Sequence, residues 1–505
     1  MYQARRTRNR PLSWAMPQAP VGAGGPAGRR AVPVARGAGH ALADTAENAQ
    51  LHEYEARVKA AFDDIVPVLK RISALQHEAD FVPRAQAMAR ESLGFTLPEA
   101  VLEAAWIRPL DMRRLFAASV FETYHRFCDD FFRNDPLGLD PRAVADFEAF
   151  LQACGFHILD ISPCADGRLA HVVRYVLRLP YRSVRRKSYA GAMFDVDDSI
   201  QKWVETEMLR YREGRPNTAD APTRYLKVVV YHYSQVDPDH GGCAAHGSDL
   251  QRAASAGLER LYAFQQAIEN SFCCGASIDL LLVGLNTDDD AIRVHVPDGQ
   301  GRMAVDRFLD VAALYDTTAR ASAQEARQAV QAAIAEAGPG VAEGMARLVE
   351  RLVIGNLSQI DYVRRYHNGG YADIDHAERF IGAGIGFEEI QLRNLTYFAY
   401  LQTVEEAAND VDVGVKIFRK LNVSRGLPVP VVVRFDYHGQ VPGARERAVE
   451  QCNRVAGALR QRFDRLWRRG LLHTMQVVRD CGAGGLIEVL SNSAEAPQVT
   501  FEGSA

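Results

Sequence analysis

Two uninterrupted apolar runs with a helical stretch between them, LKVVVYHYS at 226–234 and SIDLLLVGL at 277–285, constrain this chain more than any other feature. Both are dominated by Val, Leu and Ile and lack polar alternation, so each reads as a strand needing cover on both faces. The segment from Ser248 to Ser271 sets Leu250, Ala254, Leu258, Leu261 and Ile268 along one helical face, with Ser248 or Asp249 as N-cap. A strand, a helix and another buried strand imply a largely parallel sheet sheltered on both sides. HILDIS at 157–162 supplies a further strand. In such a sheet the carboxyl ends of neighbouring strands open into one crevice, where residues distant in sequence converge.

A chain of 505 residues outgrows a single core. Its 47% apolar and 24% charged residues are ordinary for a globular protein. Residues 1–45 are expected to form a disordered basic arm: the first 43 hold seven arginines and no acid, among Pro, Gly and Ala, although the whole chain has a net charge of −4. From 46 to 153 the pattern is helical, with Leu51, Tyr54, Val58, Phe62, Ile65, Leu69 and Ile72 on one face, a kink expected at Pro67, and breaks near Pro98, Pro109 and Pro136. The α/β texture begins at 154, with a catalytic domain expected to 395. The stretch from about 317 to 410 reads as mostly helical, and a last domain is expected over 396–505.

That last domain reads as a weak repeat of the one before it. VVVYHYSQVDP at 228–238 resembles VVVRFDYHGQVP at 431–442, and SIDLLLVGLNTDDDAIRVH from 277 matches LIEVLSNSAEAPQVTFE from 486 in its order of strand, turn and strand. Aligning the two VVV triplets sets Phe435 opposite His232. Cys452 and Cys481 do not reproduce the ligand order described next, so the repeat is expected to bind no metal.

Just past the HILDIS strand stands ISPCADGR, which places Cys164, Asp166 and Arg168 at alternate positions. His232 ends the next strand, and Cys243 follows in DHGGCAAHGSD. Two thiolates and an imidazole select Zn²⁺ among common cellular metals, and three protein ligands leave the fourth tetrahedral position to water. A carboxylate held by a guanidinium stays ionised and oriented, ready to accept a hydrogen bond from a zinc-bound hydroxide. His240, three residues before Cys243, competes with His232 as the third ligand. His232 is preferred because a strand end places a ligand rigidly, whereas His240 follows Pro238 in a polar turn. His157, His171 and His246 read as packing or surface residues, and the vicinal Cys273 and Cys274 as structural.

C-x-D-x-R followed by a strand-end His and a later Cys resembles the signature of β-class carbonic anhydrases. ISPCADGR, GCAAHGS and RYREGRPNTAD resemble their carboxysome-shell branch, as do NLSQIDYV, HAERF, DVDVG and LNVSRGLPVP further on. The resemblance spans nearly the whole chain from about residue 50, and the shell branch shares the longer His–Cys spacing. It implies an α/β fold: a helical domain, a β-carbonic-anhydrase-like catalytic domain and a degenerate C-terminal copy. It also implies reversible hydration of CO2 to bicarbonate, with one Zn²⁺ per chain on Cys164, His232 and Cys243 and with Asp166 and Arg168 orienting the nucleophile. The expected place is the inner side of a carboxysome shell in the bacterial cytoplasm, supplying CO2 to Rubisco. Shell proteins or Rubisco would be partners through the arm, with a homodimer or higher homo-oligomer, and neither nucleic acid nor membrane is expected. His376 in DIDHAERF is a weaker candidate for moving protons.

Two other classes fit parts of this pattern. A cysteine-nucleophile enzyme would use Cys164 with a histidine and need no metal. A non-enzymatic organiser would use zinc only as a staple, which leaves the Asp166–Arg168 pair without a task. Eight scattered cysteines argue for reduced thiols rather than a disulfide framework. The sequence also contains no run of eighteen apolar residues and no secretory core in its first thirty residues.

Overall fold

The computed structural model describes residues 39–495 except 135–136, 138–140, 181–182, 219, 273–276, 372–375, 388, 390–391, 402–407 and 483. Most of the expected arm, Pro136, Cys273 and Cys274 therefore lie outside the described residues. The helical region comprises α1 (Thr45–Asp63), α2 (Ile65–Ala74), α3 (Phe81–Ser92), α4 (Glu99–Glu103), α5 (Met112–Asn134) and α6 (Pro141–Ala153). The expected apolar stripe is buried, with Leu51, Ile65 and Ile72 fully excluded from water. The chain breaks at Asp64, between α1 and α2, three residues ahead of Pro67. A proline fits there because the first turn of a helix has no intrahelical use for its missing N–H.

Residues 39–45, expected to belong to the arm, are among the described residues. His40 is 3% exposed, its backbone N–H donates to Asp361 (3.1 Å), and its Nε2 lies 2.9 Å from the Thr318 hydroxyl. The basic, Gly-rich composition thus stops being a guide at residue 39, where one imidazole finds a polar cleft.

The next elements are β1 (Ile158–Pro163), β2 (Arg185–Arg186), α7 (Val196–Arg212), β3 (Arg224–Tyr233), α8 (Leu250–Phe272), β4 (Ser277–Asn286), β5 (Ile292–His295) and β6 (Leu309–Asp310). They form a six-stranded sheet in the order β2-β1-β3-β4-β5-β6, parallel from β2 to β4 and antiparallel beyond. Both uninterrupted apolar runs are central strands, β3 and β4, and nine of ten β3 residues are buried. Three helices follow, α9 (Val311–Thr318), α10 (Ala323–Ala337) and α11 (Glu343–Tyr366). In α11 most residues are buried, and a Cβ at Gly355 would lie 2.5 Å from the Leu177 carbonyl, so only glycine lets that segment approach.

The second sheet contains β7 (Phe380–Ile385), β8 (Thr396–Tyr400), β9 (Val429–Tyr437), β10 (Leu472–Asp480) and β11 (Glu488–Asn492), with α12 (Ala408–Leu421), α13 (Ala444–Arg462) and α14 (Asp464–Arg468) among them. Its order is β11-β10-β9-β7-β8. The stretch expected to be mostly helical thus contains two strands, and β7 joins this sheet although it precedes residue 396. Two glycines in FIGAGI conceal it, since a strand signal needs branched or aromatic side chains. The segment from 486, matched above to the one from 277, forms the antiparallel edge β11 from residue 488, whereas the strand parallel to β9 is β10, as β4 is parallel to β3.

Candidate metal centre

The carboxyl ends of β1 and β3 bring the candidate ligands together. Cys164 is held by its own N–H donating to the Val230 carbonyl (3.1 Å), one step past the β1–β3 register. His232 is the penultimate residue of β3 and Cys243 stands ten residues past its end, each at most 3% exposed. The two sulfurs lie 3.9 Å apart, and one ligand atom from each of Cys164, His232 and Cys243 falls within 4.8 Å of the others. Two thiolates on tetrahedral zinc, at about 2.3 Å each, would be separated by about 3.8 Å. Both cysteines are free thiols, and the buried Nδ1 of His232 has no hydrogen-bond partner. The residues therefore fit a zinc ion in spacing, in donor type and in an orphaned nitrogen. The hydrogen bond to Cys243, then burial, push the Cys164 thiol well above its ordinary range, while the same bond pulls Cys243 down. A divalent cation would replace that shared proton.

His240 is elsewhere: its side chain is 85% exposed and pairs with Asp237 at 3.2 Å. His246 is buried against the Gly191 carbonyl (3.0 Å), and His157 accepts from the Arg224 N–H (3.0 Å).

Asp166 and Arg168 sit beside the three ligands. Arg168 donates from Nε to Oδ1 (2.9 Å) and from Nη2 to Oδ2 (2.8 Å), a two-pronged grip, and from Nη1 to the Gly241 carbonyl (2.8 Å) two residues before Cys243. His232 Nε2 is 3.5 Å from both Asp166 Oδ2 and Arg168 Nη2. Burial raises the Asp166 carboxyl, yet Arg168, His376 and His232 outweigh it and hold it well below the usual carboxylate range. The intervening Gly167 is obligatory for packing, because a Cβ there would lie 2.8 Å from the Thr396 carbonyl.

His376 comes within 3.8 Å of Asp166, which the sequence could not show. Its Nδ1 lies 2.8 Å from Glu378, a fully buried carboxylate that sequence reasoning missed. Burial lowers the His376 imidazole, but Asp166 and Glu378 push it up to about 9. Cys452, on α13, donates to the Val477 carbonyl (3.3 Å), and Cys481, one residue past β10, is 3.6 Å from His438. Among the described residues no helix is long and apolar enough to cross a membrane.

Three family models match the chain in succession: Carboxysome Shell Carbonic Anhydrase, N-terminal, over residues 40–132; catalytic domain, over 146–376; and C-terminal, over 377–494. The last division falls just ahead of β7, where the second sheet begins. A carboxysome shell carbonic anhydrase of Prochlorococcus marinus (strain MIT 9313) is 56% identical over 465 residues, covering 92% of this chain and 90% of that one. One from Parasynechococcus marenigrum (strain WH8102) is 56% identical over 461 residues, covering 91% and 80%. A third, from Halothiobacillus neapolitanus (strain ATCC 23641 / c2), is 46% identical over 466 residues, covering 90% of each. With family models matching all three parts in succession and relatives 46–56% identical over nine-tenths of it, the chain belongs to the carboxysome shell carbonic anhydrase family.

Proposed function

We propose that this protein is a zinc-dependent carbonic anhydrase that interconverts CO2 and bicarbonate inside a carboxysome, using one metal site per chain. The observation that carries this reading is the convergence of Cys164, His232 and Cys243 next to an intact Asp166–Arg168 pair. Cys164, His232 and Cys243 would hold the zinc, which when bound would supply an acidified water as the nucleophile for CO2. Asp166 would accept that water's hydrogen and so orient its lone pair towards the substrate carbon. Arg168 keeps Asp166 ionised and unable to rotate, and through Gly241 ties that orientation to the chain leading into Cys243. Burial of all five side chains excludes bulk water from the attacking geometry.

The second sheet serves as a metal-free counterpart of the first. Its order and directions, β8-β7-β9-β10-β11, parallel β2-β1-β3-β4-β5. Pairing Val230 with Val433 sets Pro163 against Ala383, hence Gly384 at the place of Cys164, Gly386 at that of Asp166 and Phe435 at that of His232. No ligand type remains at those positions.

In the cell, the enzyme would sit on the inner side of the shell and release CO2 beside Rubisco, as a homodimer or larger homo-oligomer. The arginine-rich arm would recruit it through shell proteins or Rubisco. Stopped-flow CO2 hydration by the zinc-loaded chain tests the enzymatic claim. Activity lost on chelation and restored by Zn²⁺ supports it, whereas loss on thiol alkylation with indifference to chelators supports a cysteine nucleophile.

A further inference from the structure

The turn after β4 reaches both arms of the metal centre. Asp288, 6% exposed, accepts from the Ser234 hydroxyl (2.7 Å) and from the backbone N–H groups of Gln235 (2.7 Å) and Val236 (2.9 Å). These three residues are the chain immediately beyond β3, two to four positions past His232. Two residues along the same turn, fully buried Asp290 meets His171 Nε2 at 2.6 Å, three positions past Arg168. Gln359 (2.8 Å) and the Tyr371 hydroxyl (2.7 Å) donate to the same oxygen. Arg393, from the C-terminal part, reaches its other oxygen (3.3 Å) and the Thr287 carbonyl (2.7 Å). The adjoining Asn394 N–H donates to the Gly167 carbonyl (2.9 Å), inside C-x-D-x-R itself. Asp290 adopts φ of +60°, a conformation costly for a non-glycine residue and retained only where its surroundings over-determine it.

We infer that Asp288 and Asp290 are positioning residues of the metal centre. Their single turn sets the spacing between His232 and the Cys164–Arg168 loop, and Arg393 couples that turn to the C-terminal sheet. Asp288 fixes the exit of the strand that carries the imidazole. Asp290 fixes the exit of the loop that carries one thiolate and the dyad. Neither carboxylate is one of the ligands or the dyad, so their effect passes through backbone placement. The C-terminal part thereby has a task at the site although it supplies none of the three ligand atoms. The inference rests on the zinc reading above.

The test uses full-length protein in zinc and cobalt(II) forms, with Asp288→Ala, Asp288→Asn and the distant core variant Val330→Ala as a control for stability. An asparagine can accept both backbone N–H groups on its oxygen and donate to Ser234, so Asp288→Asn is the rescuing variant. Outer partners of metal ligands are typically worth about 10–100-fold in affinity or activity. Asp288→Ala is therefore expected to lower kcat by that factor with little change in KM, to speed zinc release to a chelator similarly, and to shift the visible cobalt spectrum. Asp288→Asn should restore all three, and Val330→Ala should move only the thermal midpoint. If Asp288→Ala does not fold, Ser234→Ala removes one of the three bonds and should show the same pattern in smaller degree. Wild-type spectrum and release rate in a folded Asp288→Ala, or changes of the same size in Val330→Ala, would overturn the positioning role. A wild-type chain that binds neither metal would instead sink the zinc reading itself.

Discussion

The proposed mechanism turns on Asp166, and a carboxylate that is 8% exposed is expensive to keep ionised unless a fixed positive partner repays its lost hydration. Arg168 does so with two parallel bonds, and its third contact reaches the Cys243 arm. Asp166→Asn and Arg168→Ala should therefore keep zinc, by mass spectrometry, and lose about 10–100-fold in kcat. Full turnover in either would remove the pair from the mechanism. The thiols carry a pH prediction. Both must be unprotonated to bind metal, and Cys164 is held above its ordinary range by the bond to Cys243 and by burial. Binding then releases protons, so zinc affinity in a competitive chelator titration should rise with pH from neutral into the alkaline range. An affinity that falls with pH would contradict this sign. At this scale much could be read in advance: a rigid strand end favoured His232, and His240 is in fact an exposed turn residue. Glu378 and Asp290 could not be read, because nothing in their spacing announces contacts made across the fold.

The strands that carry the site were legible because they are buried on both faces and so contain almost no polar residues. β7 and β6 were not, because glycines in one and a length of two residues in the other deprive them of the signal, while β8, TYFAY, has a strand composition that the helical reading of 317–410 passed over. A similar limit applies to the arm. Its composition explains why residues 1–38 offer nothing to pack, but not why His40 is seated. Removing residues 1–38 should leave the thermal midpoint and hydration activity unchanged. Removing 1–43 should cost about 1–3 kcal/mol, because the buried Asp361 and Thr318 lose their partners at His40. Equal midpoints for the two truncations would contradict the seating of that residue.

At the scale of the molecule, the helical part packs on α11 through α1 and on the second sheet through α5, which lies against β9 and β10. In the proposed reading one sheet carries the candidate ligands and the other has glycines and a phenylalanine at the corresponding places. The sequence offered only the order of elements for this comparison, and it set the segment from 486 where β10 stands. The central claim is that a single zinc sits on Cys164, His232 and Cys243. Metal content per polypeptide, measured by mass spectrometry on chelator-washed wild type and on Cys164→Ser, His232→Ala, Cys243→Ser and His240→Ala, tests it most directly. The account predicts about one zinc in wild type and in His240→Ala, and close to none in the other three. Zinc retained in His232→Ala, or a wild-type content near two, would contradict it.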